Sequence, residues 1–258
     1  MDNVSWSVLI PHSLRKNKYD ILKIQELAQA MIMRFVYSRG DLQSIACSTN
    51  QSVLVQKTVQ ATRIFDAYAS DNKKDRFSEV MAMGCIEEKM HAPKILSAYE
   101  LNSQGNYRST GIHLKRADGK ISLIFGLAVA EKSLDVAMQK LATQADNVAD
   151  NENNELKIIS SNLNDLRLSK HEEDEILSII MPQRGYTGTA SKPEFAGVIC
   201  SDGPDKGINK EDYQQATISN FQQICSTFKV QLQEHDIDDY NFSIYLIPFN
   251  DVENEANL

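Results

Sequence analysis

The run Ile121-Ser122-Leu123-Ile124-Phe125-Gly126-Leu127-Ala128-Val129-Ala130 constrains this chain more than any other. It reads as an apolar strand that ends on two alanines one residue apart. Strand side chains alternate between faces, so Leu127 and Val129 share one face and Ala128 and Ala130 the other. Ahead of it, Gly111-Ile112-His113-Leu114 leads into an expected turn at Ala117-Asp118-Gly119-Lys120. Behind it, a helix carries Leu134, Ala137, Met138, Leu141 and Val148. With a helix over Arg76–Met90 and a strand over Lys94–Leu101 in front, the order is helix, three strands, helix. From alternation alone, the alanine pair is a small-residue strand end packed beneath a helix.

The rest of the chain supplies a frame for that unit. With 258 residues, 42% of them hydrophobic, there is room for one large domain or a domain plus a smaller lobe. Apolar positions at helical spacing predict helices over Tyr19–Val36, closed by Arg39-Gly40-Asp41, and over about Val53–Tyr68. Ser5–Ile10 reads as a strand, and Asp71–Asp75 as a charged break. Asp150–Glu155 reads as an acidic linker. Beyond it are expected helical segments near 155–166 and 172–180, and a loop from Pro182 to Pro193. A strand over Phe195–Cys200, a turn at Asp202-Gly203-Pro204, a helix over Lys210–Phe228 and a strand over Phe242–Ile247, stopped by Pro248, follow. Three segments result: an N-terminal helical portion (1–70), a core (71–150) and a C-terminal α/β lobe (151–258).

Net charge is −8. Free nucleic-acid binders gain affinity by neutralising phosphates, so this balance argues against autonomous DNA binding and leaves room for a local basic patch or a basic partner. Lys73, Lys74, Arg76, Lys89, Lys94, Arg108, Lys115 and Arg116 concentrate positive charge around the core, as a DNA-facing surface or as solvated side chains. No apolar run is long enough to span a bilayer, and the N-terminus does not open like a secretory signal. Four cysteines without a C-x-x-C pair fit a reduced, cytoplasmic setting. His171-Glu172-Glu173-Asp174-Glu175 lacks the second histidine of H-E-x-x-H and reads as a solvated helix start. Gln183–Thr189 lacks the Lys-Ser/Thr ending of a P-loop and reads as a surface loop.

Metal-dependent nucleases hold a cation with carboxylates and often steady the attacking water or developing charge with a lysine. In the PD-(D/E)xK type, an acid begins one strand and an E-x-K pair lies on the next, where a spacing of two puts both side chains on one face. Here that place reads Ala128-Val129-Ala130. A register slip does not rescue the pair, because Leu127 and Val129 suit the buried face. Glu131 and Lys132 are adjacent and diverge.

Arg76-Phe77-Ser78-Glu79, Ala92-Pro93-Lys94-Ile95-Leu96-Ser97, Thr110-Gly111-Ile112-His113-Leu114 and Phe125-Gly126 resemble, in order and spacing, successive blocks of the nuclease subunit of Hachiman antiphage defence systems (HamA-type proteins). The likeness covers about residues 76–140 and returns at Ile247–Asp251. It implies an α/β fold with a restriction-endonuclease-like, PD-(D/E)xK core, N-terminal helices and a C-terminal α/β lobe. It implies a DNA-cleaving effector of a two-component complex, hydrolysing phosphodiesters with Mg²⁺ under control of a superfamily 2 DNA helicase. Glu79 becomes the helix-borne acid facing the site, a catalytic and metal-holding residue. Its alternative is a charge in a helix's first turn, favoured by the dipole. His113 becomes a metal-site or phosphate-contacting residue, its alternative a satisfied core histidine. Thr110 stands where the family often has the aspartate of Asp-Gly-x-His, and Ala128 and Ala130 stand on the catalytic E-x-K positions. Lys115 and Arg116 are the expected DNA contacts. Loss of both members of one pair, with Val129 kept, reads as removal from an active nuclease bearing glutamate at 128 and lysine at 130. The alternative is a natural pseudonuclease that regulates the helicase or senses DNA.

Overall fold

The computed structural model describes residues 3–9, 14–15, 18–48, 50–104, 108–117, 120–162, 170–180, 193–203 and 210–256. The chain begins with β1 (Val4–Val8), the short pair β2 (Leu14–Arg15) and β3 (Lys18–Tyr19), and the helices α1 (Ile21–Val36), α2 (Arg39–Ala46), α3 (Gln51–Tyr68) and α4 (Lys73–Met90). Next come β4 (Lys94–Ser97), α5 (Ala98–Gln104), β5 (Gly111–Ala117), β6 (Lys120–Glu131), α6 (Leu134–Asp150), α7 (Glu152–Asn162) and α8 (Lys170–Ile180). The last elements are β7 (Glu194–Asp202), α9 (Lys210–Glu234), β8 (Asn241–Phe249) and α10 (Val252–Glu255).

One six-stranded mixed sheet, ordered β1-β8-β7-β6-β5-β4, organises the fold. The pairs β1/β8, β8/β7 and β7/β6 are parallel, and β6/β5 and β5/β4 antiparallel. Parallel neighbours need helical crossovers, and these cover both faces of the sheet. Leu123, Phe125, Leu127 and Val129 point into one core with α6 to α9. Ile124, Ala128 and Ala130 point the other way, toward α1 and α4. Burial on both faces is why β6 reads as a nearly continuous apolar run. The small residues on the α4 face let that helix lie close. A Cβ on Gly126 would come within 3.3 Å of Ile86 Cδ1, of Thr110 Oγ1 and of the Gly111 carbonyl.

All three segments expected from the sequence contribute to this sheet: β1 from the first, β4 to β6 from the second, β7 and β8 from the third. The boundaries at 70 and 150 therefore divide the chain and not the sheet. The linker expected at 150–155 is a single residue, Asn151, between two helices. Glu155, on α7, is fully buried, accepting from the Arg108 and Ser109 amides and, at 2.6 Å, from the Ser109 hydroxyl.

Other boundaries moved for local reasons. Arg39–Asp41 begins α2 and does not merely end α1, because Ser38 caps the new helix by accepting from the Asp41 amide at 3.1 Å. Asn72 likewise caps α4, so the helix starts inside the expected charged break. The strand expected to reach Leu101 gives way at Ala98 to α5, where Ser97 Oγ accepts from the Glu100 amide at 3.2 Å. β8 runs through Pro248 to Phe249, past the last pair with β1 at Val8↔Leu246, where one side of β8 no longer has a neighbour to serve. Asp118, Gly119, Pro204 and the loop 181–192, with Gln183–Thr189, lie outside the described residues.

Candidate functional site

The alanine pair lies where the sheet opens. β5 pairs with β6 only up to its first residues, with Ile112 opposite Phe125, and Thr110 donates its amide to the Gly126 carbonyl at 2.8 Å. Beyond Gly126 the β5 side of β6 has no strand beside it among the described residues, and the Ala128 amide is taken instead by Gln144 Oε1 of α6 at 3.2 Å. Gly111 makes this opening: its φ of +149° suits glycine alone, and a Cβ there would stand 3.3 Å from the Leu96 carbonyl.

Helix α4 runs antiparallel to β6 across this place. At one end Ile86 abuts Gly126, and at the other Lys74 Nζ lies 3.9 Å from Glu131. Glu79, between them along the helix, is thereby set level with the alanine pair on the same face of the sheet. It is only 7% exposed. Burial pushes its carboxyl above the usual range, partly offset by Arg76 and by the Tyr68 hydroxyl. Arg76 Nη1 reaches one oxygen at 2.5 Å, and the Tyr68 hydroxyl donates to the other at 2.9 Å. Arg76 also donates to the Tyr68 hydroxyl at 2.9 Å, with its guanidinium 4.3 Å from the Tyr68 ring centroid. The first-turn-charge alternative for Glu79 fails on this burial.

His113, opposite Ile124, is fully buried on the α4 side. Its Nδ1 donates to the Ala92 carbonyl at 3.1 Å, while Nε2 and the buried Thr110 Oγ1 have no hydrogen-bond partner among the described residues. Burial pulls the imidazole pKa down to about 3, so the ring is neutral. Ala128 is half-buried, and Ala130, 1% exposed, packs among α1, α4 and α10 residues.

The expected DNA contacts are elsewhere. Lys115 Nζ pairs with Glu194 at 2.7 Å, and Arg116 Nη2 with Glu175 at 3.0 Å and Glu172 at 3.4 Å. Lys115 faces Ser122, six residues and about 20 Å along β6 from Ala128. The same ion pairs, with His171–Glu175 at 3.3 Å, account for the acidic run at 171–175 as a salt-bridged helix start. Lys94 is buried, donating to the Arg34 and Tyr37 carbonyls and to Glu100 at 2.8 Å. Lys74 pairs with Glu253 at 2.6 Å. Of the basic cluster, Lys73, Lys89 and Arg108 remain on the exposed surface. Sequence reasoning missed Tyr68, whose role shows only when the end of α3 meets the first turns of α4, and Gln144, which reads as an ordinary polar helix position.

The side chains at the alanine pair do not fit Mg²⁺. Such an ion wants oxygen ligands in near-octahedral geometry, mostly carboxylate and water. Thr110, Ala128 and Ala130 supply no carboxylate, Glu79 has both oxygens engaged, and no group of three or more His, Cys, Asp or Glu is placed to hold a metal among the described residues. No helix is long and apolar enough to cross a membrane among the described residues. Comparison with curated proteins found no match. The HamA family matches residues 5–258, from β1 through the open end of β6 to the last helix, far beyond the blocks around residues 76–140. Nearly the whole chain is thus accounted for by one family, and the protein belongs to it: HamA, the nuclease subunit of Hachiman defence systems.

Proposed function

We propose that this chain is the nuclease-type subunit of a two-component antiphage complex, working on DNA beside a superfamily 2 helicase, in a form that does not itself cleave. The observation that carries the reading is the open end of β6. Glu79 is borne by α4, the helix that packs on this strand, and the two positions from which a nuclease of this type would act carry methyl groups. Phosphodiester hydrolysis needs a cation held by carboxylates or an equivalent charge at the phosphate. Alanine supplies neither. An acidic chain whose Lys74, Arg76, Lys94, Lys115 and Arg116 are tied into ion pairs also suits a complex in which a more basic partner holds the DNA.

Two versions of this reading differ on how far the loss extends. In the first, the chain is a cleaving effector disabled only at 128 and 130. In the second it is a regulatory or DNA-sensing subunit, inactive by nature. Thr110 favours the second: a third position of the site lacks its carboxylate, just ahead of β5. The test is plasmid cleavage with Mg²⁺ by the unmodified chain and by A128E/A130K, each with its helicase. Cleavage by A128E/A130K alone establishes the first version. A well-folded, helicase-bound A128E/A130K that leaves plasmid intact establishes the second. Metal-dependent cleavage by the unmodified chain sinks the proposal, as does failure of the chain to copurify with a helicase.

A further inference from the structure

Glu79, Arg76 and Tyr68 close a ring of hydrogen bonds: guanidinium to carboxylate at 2.5 Å, phenol to carboxylate at 2.9 Å, guanidinium to phenol at 2.9 Å. Each member is held from outside. Arg76 and Glu79 are three residues apart on the first turns of α4, so both project from one face. Tyr68 is the last residue of α3, its ring edge-on to Tyr99 at 5.6 Å and tilted against Phe35 at 6.0 Å. The guanidinium therefore sits between a carboxylate and an aromatic face, a setting that suits arginine's planar, weakly hydrated cation better than a strongly hydrated one.

We infer that Arg76 is the resident cation of this site: its guanidinium, with the Tyr68 hydroxyl, satisfies Glu79 in place of a divalent ion, and the chain folds and works with no metal there. A buried carboxylate must be compensated. In a metal nuclease the cation does this and further carboxylates share it. Here the other positions are a threonine, a neutral histidine and two alanines, so a dication would meet a single carboxylate whose two oxygens are already engaged by Arg76 and Tyr68. Thr110 Oγ1 and His113 Nε2, which have no hydrogen-bond partner among the described residues, carry no charge to offset the loss of an ion's hydration. Arg76 brings its own charge covalently, and its association costs no ion binding.

This inference rests on the reading of the site as non-cleaving, but it is tested by metal binding and stability and not by nuclease activity. Cleavage by A128E/A130K would change the functional reading and leave it untouched. The full-length chain, Arg76→Gln, Glu79→Gln and the double variant are titrated with Mn²⁺ and followed by electron paramagnetic resonance. Urea unfolding of the same four proteins is measured with and without the ion. The unmodified chain should bind no Mn²⁺ at Glu79, its free-ion signal matching that of Glu79→Gln, and its unfolding midpoint should not move. Arg76→Gln should unfold at lower urea, and Mn²⁺ should not restore the loss, because Glu79 is the one carboxylate among the site positions. The double variant should lose less than the two single losses added together. One Mn²⁺ bound by the unmodified chain and released by Glu79→Gln overturns the inference. So does an Arg76→Gln variant whose stability Mn²⁺ restores, or strict additivity of the two substitutions.

Discussion

The His113 imidazole donates to the Ala92 carbonyl from a position without solvent exposure, and its pKa falls to about 3, from an ordinary 6.5. The unfolded chain takes up a proton below 6.5, whereas the folded chain refuses it down to about 3. This residue therefore costs stability as pH falls through that window and nothing above it, by up to about 1.4 kcal/mol per pH unit. His113→Asn, which keeps a donor for Ala92, should flatten the acid-side decline in unfolding free energy. An unchanged slope would count against the neutral, buried histidine. Lys94 presents the opposite case, a charge kept inside. Lys94→Met strands Glu100 and the Arg34 and Tyr37 carbonyls at the end of α1, and should cost about 3–5 kcal/mol in denaturant unfolding. Neither environment is readable from the sequence, since a lysine in a basic cluster and a histidine on an apolar strand look the same whether exposed or enclosed.

At the scale of elements, two contacts set the open end of β6. Glu155 on α7 gathers the Arg108 and Ser109 amides and the Ser109 hydroxyl, fixing the approach to β5 just before Thr110 and Gly111. Glu155→Ala leaves three donors without an acceptor, at about 1–3 kcal/mol for each that stays buried. Hydrogen exchange at the Arg108 and Ser109 amides should accelerate well before the sheet does. On the other side, α6 packs so tightly on β7 that a Cβ at Gly197 would stand 2.8 Å from Leu141 Cδ2. Gly197→Ala should destabilise by about 1–3 kcal/mol through overpacking, measured as a lower unfolding midpoint. The helical period of α6 was visible in its sequence. The burial of Glu155 was not, because an acidic residue in a polar stretch gives no sign of the amides waiting for it.

For the whole molecule, the parallel half of the sheet joins the first strand of the chain to the last, so β1 and β8 close the edge opposite β4. That long-range closure makes the N- and C-terminal segments parts of one core. Removing residues 1–9 should therefore expose the outer side of β8 and lower stability throughout, and not only in the N-terminal helices. A cooperative, lowered thermal transition would show this, whereas an unchanged midpoint would separate the segments. The HamA family match runs over the same span, residues 5–258, from β1 to α10.

The sequence by itself determined the flanking helices α4 and α6 and the strands β4, β5 and β6 between them, though not α5, the face shared by Ala128 and Ala130, and the family to which the chain belongs. These depend on periodicity, alternation and local blocks, which a linear chain carries openly. Only the tertiary structure decided that the C-terminal strands share the sheet, that Glu79 is enclosed by Arg76 and Tyr68, and that Lys94, Lys115 and Arg116 are committed to carboxylates. Each of those depends on which distant residue arrives at a buried charge, and the cost of leaving such a charge unpaired is paid in space and not in sequence.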